Sequence, residues 1–214
     1  MISDRAPVSP GWTVQGFQQW DFHSPVGARL LAVDRRELLA GFEHRPGKQA
    51  WIGEHIGKWL HAASMAGLAL SSEEIASVRD ALLACQEPDG YLGTYAKDQR
   101  FRLAAGADWD VWVHKYVLLG LLAQYERTGH APTLAACRKV GNLLCDTFGP
   151  GKRSLNSAGT HMGMAATSVL EPMVLLYRWT GDSRYLGFCG SLVSSWDEPG
   201  SGDPPRPPRR EARL

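Results

Sequence analysis

The chain has 214 residues, of which 44% are hydrophobic and 21% charged, and its formal net charge is +1. This length allows one buried core, and the composition is that of a folded globular protein rather than a disordered chain. A net charge near zero gives no electrostatic reason to expect a nucleic acid or an anionic membrane as a partner. No apolar run approaches the ~20 residues of a membrane-spanning helix, and the first residues lack a secretory h-region. We therefore expect a cytoplasmic protein.

The four cysteines lie far apart and each falls within a helical pattern: Cys85, Cys137, Cys145 and Cys189. None of them forms a C-x-x-C pair, which argues against both a zinc knuckle and a redox motif. The pattern instead predicts buried free thiols in a reducing compartment.

The first half of the chain predicts three helices. A short helix is expected over residues 35–42, and a second, from about Gln49 to Leu68, has apolar residues on one side. The capping-box pattern Ser71-x-x-Glu74 opens the third helix. That helix ends before Pro88-Asp89-Gly90, a turn in which proline presets φ and glycine accepts a positive φ.

The second half alternates buried and amphipathic helices. Residues 110–127 are apolar on all sides, which is typical of a buried helix, whereas residues 132–147 are amphipathic. The same alternation follows in residues 164–178, where Pro172 should introduce a kink, and in residues 183–196. The junctions also match, because the pattern Tyr-x-x-Thr-Gly recurs 52 residues later, from Thr128 to Thr180.

A repeat of this kind predicts stacked helical hairpins, with inner and outer helices that close into a toroid or continue as an open solenoid. We expect an all-α fold, a partial (α/α)6 toroid. An irregular segment is expected over residues 1–28, the helical domain over residues 29–196, and a disordered Pro/Arg-rich tail over residues 197–214. Because the tail cannot continue a helix, we interpret it as a chain that ends within the fold. A natural flexible terminus is the alternative.

Several side chains have the chemistry of a carbohydrate site, which requires flat aromatic faces together with polar groups that bind hydroxyls. Each also has a structural interpretation: Asp89 can hold its own turn, His114 can be a core histidine, and the aromatic rings can be core packing. A carboxylate at position 54 of an apolar helix needs a ligand or a partner, for which His55 and Lys58 are available. The candidate substrate-binding residues are His114, Glu54, Asp89, Tyr91 and Trp112.

Glycoside hydrolysis usually needs two carboxyl groups that flank the glycosidic bond. Four residues are candidates by type alone, and their spacing singles out no pair: Glu54, Asp89, Asp110 and Glu171. Other catalytic patterns are absent from the sequence, including the G-x-S-x-G elbow, a phosphate-binding glycine loop and H-E-x-x-H.

Five segments in this order resemble the glycoside hydrolases of family 127, the β-L-arabinofuranosidase-like enzymes. The resemblance extends from about Arg29 to Trp196, and its most specific part is Gln-x-Pro-Asp-Gly-Tyr-Leu. The segments are Leu38-Leu39-Ala40-Gly41-Phe42, Gly57-Lys58-Trp59-Leu60, Gln86-x-Pro88-Asp89-Gly90-Tyr91-Leu92-x-Thr94-Tyr95, Trp112-x-His114, and Leu176-Tyr177-Arg178-x-Thr180-Gly181-Asp182-x-Arg184-Tyr185-Leu186.

The resemblance implies an (α/α)6 barrel and retaining hydrolysis of β-L-arabinofuranosides, with a zinc-bound cysteine thiolate as nucleophile and a glutamate as acid/base. The family's zinc ligands, a Glu-x-Cys and a Cys-Cys pair, do not occur in this sequence, so no catalytic or metal-binding residue is assigned. His114 matches a histidine that lines the sugar site, and Glu54 falls where the family usually has a polar residue. A second family histidine is not matched on the helix that here contains Thr167 and Ser168. The identity of the sugar that the site binds therefore stays open.

We therefore expect a glycosidase that is truncated and inactive alone, with a carbohydrate substrate and with self-association through the open half-barrel. Zinc is expected only in the complete family domain. The alternative is a non-catalytic helical-repeat module that binds a sugar or a protein. A third interpretation keeps an enzyme but replaces zinc by the His and acidic residues that other α/α toroids use for epimerisation, elimination or hydrolysis.

Overall fold

A computed structural model describes residues 23–66, 72–101, 109–158 and 163–197. Within these ranges the chain is helical, and its only β-type pairing is an isolated bridge between Phe148 and Arg153. Two short 3₁₀ turns lie at Lys97–Gln99 and Leu155–Ser157. The α-helices are α1 (His23–Ala32), α2 (Arg35–Glu43), α3 (Glu54–Ala66), α4 (Ser72–Ala84), α5 (Asp110–Thr128), α6 (Ala131–Thr147), α7 (Met164–Thr167), α8 (Leu170–Thr180) and α9 (Ser183–Ser195).

Helices α3, α5 and α8 form an inner layer. Helices α3 and α5 run in the same direction, because Trp112 contacts Glu54 at their first turns and Arg127 donates to the Ser64 carbonyl near their ends. At the end of α5, the Tyr125 ring meets the Trp179 ring of α8 at 5.4 Å. Helices α4, α6 and α9 form the outer layer, in which α6 contacts both neighbours. This arrangement confirms the predicted helical hairpins.

The two halves of the predicted repeat end in the same way. Gly129 after α5 and Gly181 after α8 adopt left-handed backbone conformations with φ of 64° and 67°. The threonine before each glycine donates its hydroxyl to the carbonyl four residues earlier, at 2.7 Å in both Thr128 and Thr180. Glycine is favoured at such positions because it has no Cβ to clash. The Thr-Gly pattern is therefore a helix-ending device.

Two glycines let α3 and α5 approach closely. A Cβ atom added to Gly57 would lie 2.4 Å from the Tyr116 backbone, and one added to Gly120 would lie 2.6 Å from the Gly57 carbonyl oxygen. These distances are below van der Waals contact, so only glycine fits at this crossing. The pair fixes the first turn of α3 beside the first turns of α5.

Two helix boundaries differ from the sequence predictions. Residues 23–28, expected to be irregular, are helical, because α1 begins at His23. Helix α3 begins at Glu54 rather than near Gln49, since residues 51–53 form a turn. The predicted capping residue Ser71, and the predicted tail beyond Asp197, lie outside the described residues.

The predicted kink at Pro172 is a complete break between α7 and α8. Ser168 and Val169 separate the two helices. The break falls on the N-terminal side of Pro172 because proline lacks the N–H that would bond to the Ser168 carbonyl, and its ring would clash with that carbonyl. One predicted helix therefore becomes two.

The core lies between the two layers. Ile56, Leu60, Leu118 and Leu121 are fully buried there. Helix α1 is fastened to this core where the Trp59 indole donates to the Leu30 carbonyl at 2.9 Å. None of the helices in the described ranges combines the length and the apolar character needed to cross a bilayer.

Candidate carbohydrate-binding site

A buried hydrogen-bond network connects the loop after α4 to the start of α5. The Tyr91 hydroxyl donates to Asp110 Oδ1 at 2.9 Å and accepts from the Tyr95 backbone N–H at 3.0 Å. The other carboxylate oxygen, Asp110 Oδ2, accepts from the Phe101 backbone N–H at 3.0 Å. Both Tyr91 and Asp110 are fully buried. Desolvation, with the nearby negative charge of Asp110, raises the pKa of Tyr91 far above its usual value, so its hydroxyl remains a donor.

His114 belongs to the same network. Its Nε2 atom accepts the Leu92 backbone N–H at 3.3 Å, and its Nδ1 atom lies 2.8 Å from the Asp110 carbonyl oxygen. These partners require the tautomer in which Nδ1 bears the proton and donates it. The side chain is 0% exposed and its ring meets the Tyr91 ring at 4.9 Å. These surroundings are the ones that the core-histidine interpretation predicts.

Asp89 holds its own turn. Its Oδ1 accepts the Tyr91 backbone N–H at 3.0 Å, the Asx-type contact that the structural interpretation expects. Its side chain is 49% exposed, and Arg100 Nη1 approaches its other oxygen at 3.6 Å. Arg100 also pairs with both oxygens of Glu87 and stacks over the Tyr91 ring at 3.7 Å. The segment with the strongest family resemblance is thus held in place by contacts within the protein.

Glu54 and Trp112 are brought together at the first turns of α3 and α5. The Trp112 indole donates to Glu54 Oε2, and the Lys58 ammonium donates to Glu54 Oε1 at 2.9 Å. His55 Nδ1 lies 3.7 Å from the same oxygen. The Glu54 side chain is only 11% exposed. Its charge is therefore held by an indole donor and a lysine, the partner that the sequence suggested.

Four aromatic rings continue outward from this carboxylate, and we call them the aromatic wall: Trp51, Trp109, Trp112 and Tyr116. Successive rings meet edge to face with centroid separations of 6.2, 5.7 and 5.0 Å. Trp51 is 42% exposed. Partly exposed rings beside a carboxylate present the apolar faces and hydrogen-bond acceptors that a sugar requires.

Trp51 and Tyr116 were missing from the predicted site. The signal for Tyr116 was available, because its four-residue spacing from Trp112 places the two on one face of α5. Trp51 gave no such signal, since it lies in a turn that the sequence predicted as helix. The structure thus joins Glu54 and Trp112 in one site and separates them from the buried Tyr91 and His114.

Two lysines border the aromatic wall. Lys58 Nζ lies 4.4 Å from the centroid of the Tyr116 ring. Lys115 Nζ lies 4.7 Å from the centroids of both Trp112 and Tyr116. Such positions over ring faces are favourable cation–π contacts. The site therefore combines aromatic faces with one carboxylate and two ammonium groups.

The other carboxylates named by type have different surroundings. Both carboxylate oxygens of Asp110 accept hydrogen bonds within the buried network. Glu171 is exposed at the first turn of α8. Within the described ranges no three His, Cys, Asp or Glu side chains are placed to hold a metal ion.

The four thiols do not fit a zinc-thiolate centre. All are free, three are buried, and burial raises the pKa of Cys145 and of Cys189 to about 11. In the described ranges none of them belongs to a group of three or more His, Cys, Asp or Glu side chains that could hold a metal ion. These thiols thus do not fit the zinc site that the resemblance implies.

A comparison of sequences identifies a related enzyme that is much longer than this chain. In the curated set, the chain is 25% identical over 150 residues to a non-reducing end β-L-arabinofuranosidase of Bifidobacterium longum subsp. longum, a match that covers 64% of this chain and 22% of that enzyme. The chain thus spans less than a quarter of its curated relative.

Solved structures confirm the toroid type of fold. A GH127 β-L-arabinofuranosidase from Geobacillus stearothermophilus T6 superposes with a TM-score of 0.63 at 18% identity, over 81% of this chain and 29% of that one. A second GH127 β-arabinofuranosidase gives a TM-score of 0.58 at 21% identity, over 80% and 30%. A family model described as "Beta-L-arabinofuranosidase, GH127 catalytic domain" matches residues 19–195. The chain therefore belongs to the GH127 β-L-arabinofuranosidase catalytic-domain family.

Proposed function

We propose that this chain is the N-terminal part of the catalytic barrel of a β-L-arabinofuranosidase-like glycoside hydrolase, and that the aromatic wall and Glu54 form one side of its sugar-binding cleft. The observation that supports this most is the nearly buried Glu54 carboxylate, held by Trp112 at the edge of partly exposed rings. It lies in a chain whose family match extends over residues 19–195. The arabinofuranoside substrate is inferred from the name of the curated relative.

The chemistry of each group suits this task. Aromatic faces bind the C–H surface of a sugar ring and exclude water from it. The Glu54 carboxylate accepts hydrogen bonds from sugar hydroxyls, and such charge-assisted bonds are stronger than neutral ones. The Lys58 ammonium and the Trp112 indole both donate to this carboxylate and fix its direction. We assign Glu54 and Trp112 to substrate binding, not to bond cleavage.

Hydrolysis requires groups that this sequence does not supply. The Glu-x-Cys and Cys-Cys patterns expected for the zinc site do not occur among the 214 residues. We therefore propose that the chain binds sugar but does not cleave a glycoside alone, and that no residue of it binds zinc. We also propose a cytoplasmic location, which the free thiols support.

Several large apolar side chains are exposed on the helical layers. Met65 at the end of α3 and Met164 in α7 are 71% and 73% exposed, and Leu186 and Val193 are exposed on α9. Leu186 and Val193 lie seven residues apart on one face of α9, and exposed apolar surface favours association. We propose that these surfaces cause the chain to self-associate through the open side of its partial barrel. A concentration-dependent mass in light scattering supports this, and a constant monomer mass contradicts it.

Sugar binding can be tested by following the indole ¹H–¹⁵N signals of the intact chain during titration with β-L-arabinofuranobiose. We expect saturable shifts of the Trp51, Trp109 and Trp112 signals. The variant Glu54→Gln should weaken binding by about ten- to a hundredfold, since a charge-assisted hydrogen bond contributes about 1.5–3 kcal/mol. The matched control is Trp179→Phe, whose ring packs at the other end of α5.

The outcomes separate the two function classes. Saturable shifts that Glu54→Gln weakens and Trp179→Phe preserves support the carbohydrate site. Unshifted indole signals at saturating sugar concentration contradict it. That result would favour the alternative of a helical module with a protein partner, for which the exposed apolar residues are the supporting observation.

A further inference from the structure

We propose that the aromatic wall recognises a sugar that bears an anionic group, a carboxylate or a sulfate ester, and that Lys115 binds this group. The proposal rests on the proposed function, because it specifies the kind of sugar that the same site takes. It goes beyond the neutral arabinofuranoside that the relatives' names suggest. The observation behind it is the charge distribution around Trp112 and Tyr116.

Lys115 differs from the other partly or fully buried lysines and arginines of the described ranges in its lack of a carboxylate partner. Each of the others has a carboxylate within ion-pair distance: Arg35, Arg45, Lys58, Arg79 and Arg100. Lys115 has no such partner there, although it is half-buried against two rings. A half-buried charge without a counter-ion is unfavourable unless a ligand or solvent completes it.

The local charges leave one positive charge uncompensated. Glu54 is already engaged by Lys58 at 2.9 Å and by the Trp112 indole. Lys115 reaches the other members of the site only through ring faces, with its ammonium 4.7 Å from both centroids. An ammonium over an aromatic face retains hydrogen-bond donors for an incoming anion. Lys115 is thus placed beside the surface on which a sugar ring would stack.

The proposal implies an orientation for the ligand: its apolar face stacks on the wall, its hydroxyls approach Glu54, and its anionic substituent approaches Lys115. A neutral sugar would leave the Lys115 charge without a partner. An anionic sugar gains an ion pair in a partly desolvated place, which contributes more than a fully exposed pair.

The test compares binding of matched sugars to the intact 214-residue chain by isothermal titration calorimetry. The probes are digalacturonate, its carboxyl methyl ester, and galactose 6-sulfate beside galactose. Within each pair the main change is the charge, although the ester also carries methyl groups and the sulfated sugar carries the sulfate group itself. We expect the acid to bind about fivefold more tightly than its ester at low salt, and this preference to disappear near about 1 M salt, where charges are strongly screened. The sulfate pair shows which anion the site prefers.

Variants then assign the preference to one residue. Lys115→Gln should remove the preference for the acid over the ester, and Lys115→Arg should retain it. The control Lys139→Gln removes an equal charge from an exposed position on α6. Equal binding of acid and ester would overturn the inference while leaving the proposed function intact. Absence of binding by digalacturonate and galactose 6-sulfate would also overturn the inference, and only absence of binding by β-L-arabinofuranobiose as well would overturn the proposed function.

Discussion

The close crossing of α3 and α5 makes a sharp prediction for Gly57→Ala. In a solvent-exposed helix this substitution stabilises by about 0.5–1 kcal/mol, since alanine loses less backbone entropy. At Gly57 the new methyl group would lie 2.4 Å from the carbonyl carbon and oxygen of Tyr116. These are backbone atoms that cannot rotate away. The helices must separate, and overpacking of this kind costs about 1–3 kcal/mol.

The expected net effect is a loss of about 1–2 kcal/mol in the free energy of unfolding. Urea denaturation followed by circular dichroism measures this loss, provided that the dependence of the free energy of unfolding on urea concentration is the same in both proteins. With a slope of about 2 kcal/mol/M, the midpoint should fall by roughly 0.5–1 M. Separation of the helices should also lengthen the contact between Glu54 and Trp112, so the Trp112 indole resonance should shift.

Gly187→Ala in α9 is the matched control. It is also a helix-interior glycine, but a Cβ added there meets no atom within 4 Å. We expect this variant to gain about 0.5–1 kcal/mol from helix propensity alone. The reasoning is refuted if Gly57→Ala stabilises the chain as much as Gly187→Ala does, because the α3–α5 crossing would then have room for a methyl group.

Three further predictions concern stability. Tyr91→Phe should cost about 2 kcal/mol in urea denaturation, because it leaves the buried Asp110 carboxylate short of a donor. Stability should fall as pH rises from 9 towards 11, since the unfolded thiols of Cys145 and Cys189 ionise near the reference value of 9.0 and the folded ones near 11. Urea denaturation at pH 7.5 and at pH 10 checks this. Replacing both Cys145 and Cys189 by alanine should reduce the loss of stability between the two pH values. Asp182→Ala removes the N-cap of α9 and should cost about 1 kcal/mol by the same assay.

The helices were largely predictable because their sequence signals are local. The apolar residues of 110–127 and the Thr-Gly endings determine α5 and the repeat without help from distant residues. The start of α3 was predicted too early, since the turn at residues 51–53 interrupts an otherwise helical pattern. The break before Pro172 was predicted only as a kink, because proline's effect depends on how the preceding residues pack.

The contacts among the candidate site residues were only partly predictable, because burial could not be read from residue type. Glu54 and Trp112 were named from residue type, and the structure joins them through a hydrogen bond. Tyr91 and His114 were named by the same criterion, yet both lie fully inside the protein with protein partners. Residue type cannot distinguish a polar group that binds a ligand from one that binds a neighbouring loop. That distinction depends on contacts between residues far apart in the sequence.

The buried and exposed groups nevertheless act together through α5. Asp110 and His114 are four residues apart and fasten the first turns of this helix to the loop that contains Tyr91 and Leu92. Trp112 lies between them in sequence and points to the other side, towards Glu54. A helix whose first turns were free to fray could not hold the indole at a fixed place. The buried network is therefore a positioning device for the aromatic wall, and its disruption by Tyr91→Phe should broaden the Trp112 indole signal even where the rest of the chain remains folded.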